Sequence, residues 1–357
     1  MSTQLVCEGL ISRGHNVTVI TQNDGSQKDI ECINGVRVVR IKSPNIYSVF
    51  DYDDIKPGKI RKLIWNIIEL FNVCTLLKFY NFFKKDYDIV WTNNLSGFSI
   101  SVWLAAKLHK RKIYHTLRDY YLLSDNVMNY SSDGYETINS FRSKLRRFFV
   151  RASIKDINIV GISSHILEKH RKYFKHIGYA SVIYNPVRIE LDSKRKEKHN
   201  GKITLGYIGQ INKAKGIDLL LNRFSTSSNS ARLLVAGKVS QQYKNIYIKN
   251  TRIDFIGHTE PSVFFEKVDA LLVPSVWEEP FGRVVIEALS HKVPVYCSRK
   301  GGLTELADTF SSVTLLDFNI FEDFDFIDCY FDDTDLQKLK DFDLETISLK
   351  YEELFSR

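Results

Sequence analysis

The sequence predicts an α/β fold built as two doubly wound lobes. Three observations carry this. The chain has 357 residues, enough for two cores and too many for one. Short β-branched runs alternate with helical patterns in both halves, as in parallel sheets covered by helices. A polar, highly charged run over 192–202 (DSKRKEKHNGK) reads as a linker. The expected division is therefore 1–190, 201–343 and a last helix over 344–357 that packs back toward the first domain.

Composition narrows the class. Apolar residues make up 44% and charged residues 26%, both globular values. The net charge of +8 is spread along the chain and suits anionic ligands or membrane surfaces. Nothing points to nucleic acid. Five cysteines are scattered, with no metal-type spacing, which fits reduced thiols in the cytoplasm. The opening MSTQLVCEGLISRG is interrupted by Glu8 and Arg13 and does not read as a signal peptide. No uncharged apolar run of spanning length occurs.

Taken in order, residues 2–13 form a helical pattern ending at Gly14, which suits a left-handed cap. Strands are expected at 17–21 and 36–41. Residues 60–83 read as one long apolar helix with basic flanks. A buried connecting helix is the preferred reading; a membrane-surface helix is the other. A strand at 88–92 precedes Asn93-Asn94 and a helix through Lys110. The next strand, 112–116, carries His115 near the end where open sheets gather ligands, although a lone His there is more often structural. Residues 142–155 (RSKLRRFFVRASIK) form a basic amphipathic patch, either a solvated helix face or a contact for anionic lipid. Strand and helix patterns continue at 157–163, 164–174 and 180–184. In the second half, strands at 203–208, 233–236 and 253–256 each run into a glycine: Gly209, Gly237 and Gly257.

The densest signal is residues 274–305, PSVWEEPFGRVVIEALSHKVPVYCSRKGGLTE. Glu279 and Glu287 lie eight apart. Pro280 suits the first position of a helix, which puts Glu279 before that helix and Glu287 about two turns inside it. Free N–H groups at Gly282 and Arg283 would offer donors to an anion or to sugar hydroxyls. The Gly301-Gly302 turn would supply a second N–H-rich corner. For a lone pair of glutamates eight apart, an ordinary amphipathic helix with a charged start is the preferred reading.

The whole string is more specific. Glu279-Pro-Phe-Gly-Arg283, a helix ending Glu287-Ala-Leu289, a Pro-Val strand and Gly301-Gly-Leu-Thr-Glu305 together resemble the retaining glycosyltransferases of family 4, which have the GT-B fold. The resemblance implies two Rossmann-like doubly wound domains facing a cleft. It also implies a first strand and glycine-rich loop before the opening helix, where Met1 stands instead, so an N-terminal sheet lacking its first strand is expected. By the same resemblance, Glu279 and His115 are catalytic. Gly209, Lys215, Phe281, Gly282, Arg283, Glu287, Gly301 and Gly302 bind the donor, with Lys215 on its diphosphate and Glu287 on its ribose. Three departures stand out. Gln210 replaces the family's arginine, Trp91-Thr-Asn93-Asn94 replaces its His-Thr-His-Asn, and Lys292 replaces a glycine.

The implied reaction is metal-independent transfer, with retention, from a UDP- or GDP-type sugar nucleotide to a hydroxyl acceptor. No cofactor is implied. The setting is bacterial surface polysaccharide or lipid-linked glycan synthesis, in the cytoplasm or at the inner face of the membrane. Several Asp-x-Asp triplets, such as Asp51-Tyr-Asp53 and Asp333-Thr-Asp335, would serve a metal-dependent transferase, but chance explains them in so acidic a set of loops. Two other readings remain: a non-catalytic sugar-nucleotide-binding subunit, favoured by Gln210 and the missing strand, and a sugar-nucleotide epimerase.

Overall fold

A computed structural model describes residues 2–25, 27–51, 55–130, 136–189, 203–228, 230–239, 246, 250–321, 323–324 and 328–357. The linker expected over 192–202 lies outside these residues, as do Asp53 and Asp325 of the acidic triplets. The chain divides into two units, Met1–Ile183 with Ile347–Arg357, and Tyr184–Thr346. The boundary thus falls before the expected residue 190. Tyr184 stacks on Phe342 at 4.5 Å, and the Val187 N–H donates to the Phe342 carbonyl at 2.9 Å, so these residues belong with the second unit.

The first unit opens with helix Ser2–Ser12, which buries Leu5, Val6, Cys7 and Leu10. Gly14 ends it at φ 91°, with the His15 N–H bonded back to the Leu10 carbonyl. Strands β1 (Thr18–Gln22), β2 (Ile30–Ile33) and β3 (Val36–Ile41) form a three-stranded sheet in the order β1-β3-β2. Here β2 returns antiparallel through Asn34-Gly35, both at positive φ. Four parallel strands make a second sheet in chain order: β4 (Ile89–Thr92), β5 (Lys112–Leu117), β6 (Asn158–Gly161) and β7 (Ala180–Val182). Among the described residues the unit therefore carries two sheets. Among the described residues β1 and β4 each pair on one side only. Side chains join the sheets instead. Trp91 packs on Cys7, Val36 and Val38, and Gln22 Nε2 donates to the Ser96 carbonyl at 3.2 Å.

The single helix expected over 60–83 is two, Lys59–Leu70 and Val73–Phe82, bent by 42°. Asn72 sits at the break and caps the second helix by accepting from the Thr75 N–H. The last helix, Leu344–Ser356, belongs largely to this unit. Tyr351 is buried beside Trp91, ring centroids 4.9 Å apart, and Tyr114 Oη donates to the Leu354 carbonyl.

The second unit is a regular six-stranded parallel sheet, ordered β10-β9-β8-β11-β12-β13. Its strands are β8 (Thr204–Ile208), β9 (Arg232–Ala236), β10 (Ile253–Gly257), β11 (Ala270–Val273), β12 (Val295–Cys297) and β13 (Val313–Leu315). One face of the core joins Leu205, Leu233 and Leu272 to Leu220 and Phe224 of helix Ile217–Thr226. Connections run outward in one direction from β8 and in the other from β11. These neighbours therefore form the topological switch point, where a crevice opens at the carboxyl ends of an open sheet.

Candidate functional site

The switch point is where the sequence places its chemistry. Past β8, Gly209 leaves the strand with its N–H bonded to the Ala236 carbonyl, and Gln210 beyond it is exposed. A short 3₁₀ turn, Lys213–Lys215, follows, capped by the Asn212 side chain on the Lys215 N–H. Gly216 closes the turn at φ 73°, where a Cβ would lie 1.8 Å from the Pro274 carbonyl oxygen. Only glycine lets this turn press against the loop that leaves β11.

That loop carries Glu279, 6% exposed. Three donors converge on its Oε1: Lys215 Nζ at 2.7 Å, Ser275 Oγ at 2.7 Å and Trp277 Nε1 at 2.9 Å. Lys215 also lies 5.1 Å above the Trp277 ring. No protein donor reaches Oε2 among the described residues. The carboxylate is thus fixed by one oxygen and open at the other. Its backbone is fixed too. The Gly302 N–H donates to the Glu279 carbonyl at 2.7 Å, and a Cβ on Gly301 would fall 2.3 Å from that same oxygen.

The helix after Glu279 runs Arg283–Ser290, with Gly282 as its N-cap at φ 99°. Pro280 therefore precedes the helix and does not open it, and Glu287 lies about one turn inside. Arg283 and Glu287 pair across that turn at 2.6 Å. Burial pushes the Glu287 carboxyl above its ordinary value, against the opposing Arg283 charge. Phe281 is a core residue, stacked on Tyr184 at 5.8 Å and Phe342 at 6.0 Å. What it can offer a ligand is its N–H, which, like that of Gly282, has no protein acceptor among the described residues. Gly302 differs from its expected role. Its N–H is taken by Glu279, and the next two, of Leu303 and Thr304, bond to the Lys300 and Gly301 carbonyls. The Gly301-Gly302 corner thus braces the site through Gly302, while the Gly301 N–H has no protein acceptor among the described residues.

In the first unit His115 also departs from expectation. Strand β5 continues to Leu117, so His115 sits within it and not at its end. It is 3% exposed, its Nδ1 meets Thr92 Oγ1 at 2.9 Å, and its ring packs edge-on to Trp103. Burial lowers its pKa to about 3, so it stays neutral. The residues that leave the carboxyl end of β5 are Arg118 and Asp119. Arg118 Nε donates to Asn93 Oδ1, past β4, at 2.8 Å. The length of the β-branched and aromatic run through Leu117 was the available signal. The 142–155 patch is altered as well. Helix Phe141–Ser153 buries Arg146 and Arg147, and Arg147 Nη1 donates to the Leu123 and Ile138 carbonyls. Asp335 of the acidic triplets is a buried structural acceptor for the Ser311 and Ser312 N–H groups.

A family model described as Glycosyltransferase Family 4 matches residues 2–191, more than half of the chain. The chain belongs to glycosyltransferase family 4. A second model, Glycosyl transferases group 1, matches residues 188–323 of this family-4 chain. An uncharacterized 42.6 kDa protein in the cps region of Klebsiella pneumoniae is 31% identical over 89% of this chain and 85% of its own length. Two solved structures share the GT-B fold. Sucrose-phosphate synthase from Thermosynechococcus elongatus superposes with a TM-score of 0.71 at 17% identity, over 99% of this chain and 92% of that one. Anabaena HepE in complex with UDP and glucose gives 0.64 at 16% identity, over 99% and 95%. Both units of the family-4 chain are thus Rossmann-like, and its class of chemistry is glycosyl transfer.

Proposed function

We propose that this chain is a retaining glycosyltransferase that moves a hexose from a UDP- or GDP-type donor to a hydroxyl acceptor without a bound metal. One observation carries the reading. Glu279 is held at the switch point by three donors on Oε1, which leaves Oε2 to accept from hydroxyls of the donor sugar. Glycosyl transfer builds negative charge on the departing diphosphate, and fixed donors placed there speed the reaction. Lys215 spends one ammonium hydrogen on Glu279 and keeps two for phosphate oxygens. The N–H groups of Phe281 and Gly282 add to it. Glu287 accepts from the ribose hydroxyls, with Arg283 setting its rotamer. Gln210, neutral and exposed, leaves the site one charge short of the family pattern. The fold relative solved with UDP and glucose supports a sugar-nucleotide donor. The cps-region relative supports a role in surface polysaccharide synthesis.

The test is a thermal-shift panel of UDP, GDP and their sugars, followed by product analysis in excess chelator. One nucleotide series should stabilise the protein, and the product should keep the donor's anomeric configuration. Donor binding with no turnover against any acceptor or water would favour a non-catalytic subunit. A product of inverted configuration would overturn the retaining mechanism. Glu287→Ala should weaken nucleotide binding about tenfold, the loss of roughly one charge-assisted hydrogen bond.

A further inference from the structure

Helices Lys59–Leu70 and Val73–Phe82 bury one side and leave the other bare. The inner side is pinned at several points. Trp65 Nε1 donates to the Tyr47 carbonyl, Glu69 accepts from the Gly97 and Ser99 N–H groups, and Asn72 Nδ2 donates to the Pro44 carbonyl. On the outer side Ile60, Leu63, Ile64, Ile67 and Phe71 follow helical spacing, and all are exposed, Ile60 to 75%. Leu77 and Tyr80 continue the apolar surface along the second helix.

The charge pattern of this stretch is one-sided. From Ile55 to Lys85 the sequence has seven basic residues: Lys56, Lys59, Arg61, Lys62, Lys78, Lys84 and Lys85. Its single acid, Glu69, is 1% exposed. Within this stretch the exposed side chains are therefore mostly apolar or cationic, and acids flank it at its ends, at Asp51 and at Asp86, which is paired with Arg111.

We propose that this face docks on an anionic lipid bilayer, with the apolar stripe at the headgroup–acyl boundary and the basic side chains on lipid phosphates. No single helix among the described residues is long and apolar enough to cross a membrane. The two helices together reach that length, but they are bent by 42° and bonded inward at Glu69 and Asn72, so they lie on the surface and do not span it. Charge selects the occupant. A second copy would set this cationic surface against itself on a chain of net charge +8, whereas anionic lipid supplies the missing sign. The docking face is thus the 59–82 pair and not the 142–155 patch, whose Arg146 and Arg147 are turned inward. The inference does not depend on the transferase reading, because its readout is lipid binding alone.

The test is co-sedimentation of the full chain with vesicles of phosphatidylcholine alone or mixed with phosphatidylglycerol. Binding should be at least about tenfold stronger to the mixed vesicles, since each basic side chain near the surface is worth roughly 1 kcal/mol. The double variant Ile60→Glu, Ile67→Glu and the double variant Lys59→Glu, Arg61→Glu should each lose about tenfold or more. Phe148→Glu, on helix Phe141–Ser153, should bind like the parent. These side chains are exposed, so thermal midpoints should stay unchanged and confirm folding. Equal binding to both vesicles, or double variants that bind like the parent, would overturn the proposal. So would a dimer in sedimentation velocity that the Ile60, Ile67 variant converts to monomer, which would assign the face to a second copy.

Discussion

Glu69 in the first unit and Glu279 in the second are both buried, at 1% and 6% exposure. Around Glu69 both oxygens are used. Oε1 accepts from the Gly97 and Ser99 N–H groups and from Tyr121 Oη at 2.6 Å, and Oε2 accepts from Asn45 Nδ2 at 3.1 Å. Arg146 lies over the Tyr121 ring at 4.4 Å and adds positive charge. Burial still pushes the Glu69 carboxyl above its ordinary value. Around Glu279 every donor converges on Oε1, and no protein donor reaches the other oxygen among the described residues. One carboxylate is closed and holds the loop after β4 in shape. The other is held firmly and left half unsatisfied. How the acceptor sites are filled, more than burial itself, distinguishes the two carboxylates, and the proposed working role of Glu279 rests on that difference.

The comparison can be broken most directly at Glu69. Glu69→Ala orphans two N–H groups, a phenol and a neighbouring charge, and should cost about 3–5 kcal/mol of stability. The denaturant midpoint of the first unit would show it. Glu279→Ala should instead lower kcat by about 100-fold or more with a much smaller loss of stability. If both variants unfolded alike, Glu279 would be as structural as Glu69.

Asp119 sharpens the closed side. Its Oδ1 accepts from the Tyr121 N–H, yet burial raises its pKa from an ordinary 3.8 to about 6. The folded state therefore holds this proton more tightly than the unfolded chain does. That stabilisation is complete below pH 3.8 and lost as pH rises through about 6. Asp119→Asn should gain stability relative to the parent over that window, read as the difference in thermal midpoint against pH. A difference that stayed flat would place the carboxylate in solvent.

The smallest effect is expected at Lys292. It ends helix Arg283–Ser290 at φ 57°, with the Val293 N–H on the Ala288 carbonyl and its own on Leu289. Gly14 takes the same position after the first helix. Relieving the left-handed strain by Lys292→Gly should add about 1 kcal/mol without touching Glu279 or Lys215. Thermal unfolding would measure it, and turnover should not change.

Much of this was legible because the second unit is built from local patterns. Each β-branched run that ends in glycine became a strand of one regular sheet. The Glu279–Glu287 string lies in one continuous stretch. What escaped depends on partners far along the chain. Glu69 is bonded to residues near 97 and 121, and its only local signal is being the lone acid in an apolar, basic run. The break at Asn72 had a signal, an N-cap side chain inside the apolar run, which the periodicity on either side hid. The β2–β3 hairpin had a stronger one, Asn34-Gly35 between apolar runs. Strand β13 covers three residues, too few for any period to show.

The last helix carries a consequence for how the protein is made. Tyr351, Leu354 and Phe355 complete the packing around Trp91 and Tyr114, residues translated more than two hundred positions earlier. During synthesis the middle of the chain can finish folding while the opening part still waits for its final turns. Trp91 and its neighbours lack this cover until helix Leu344–Ser356 has been made, and a nonsense codon ahead of that helix would leave them exposed.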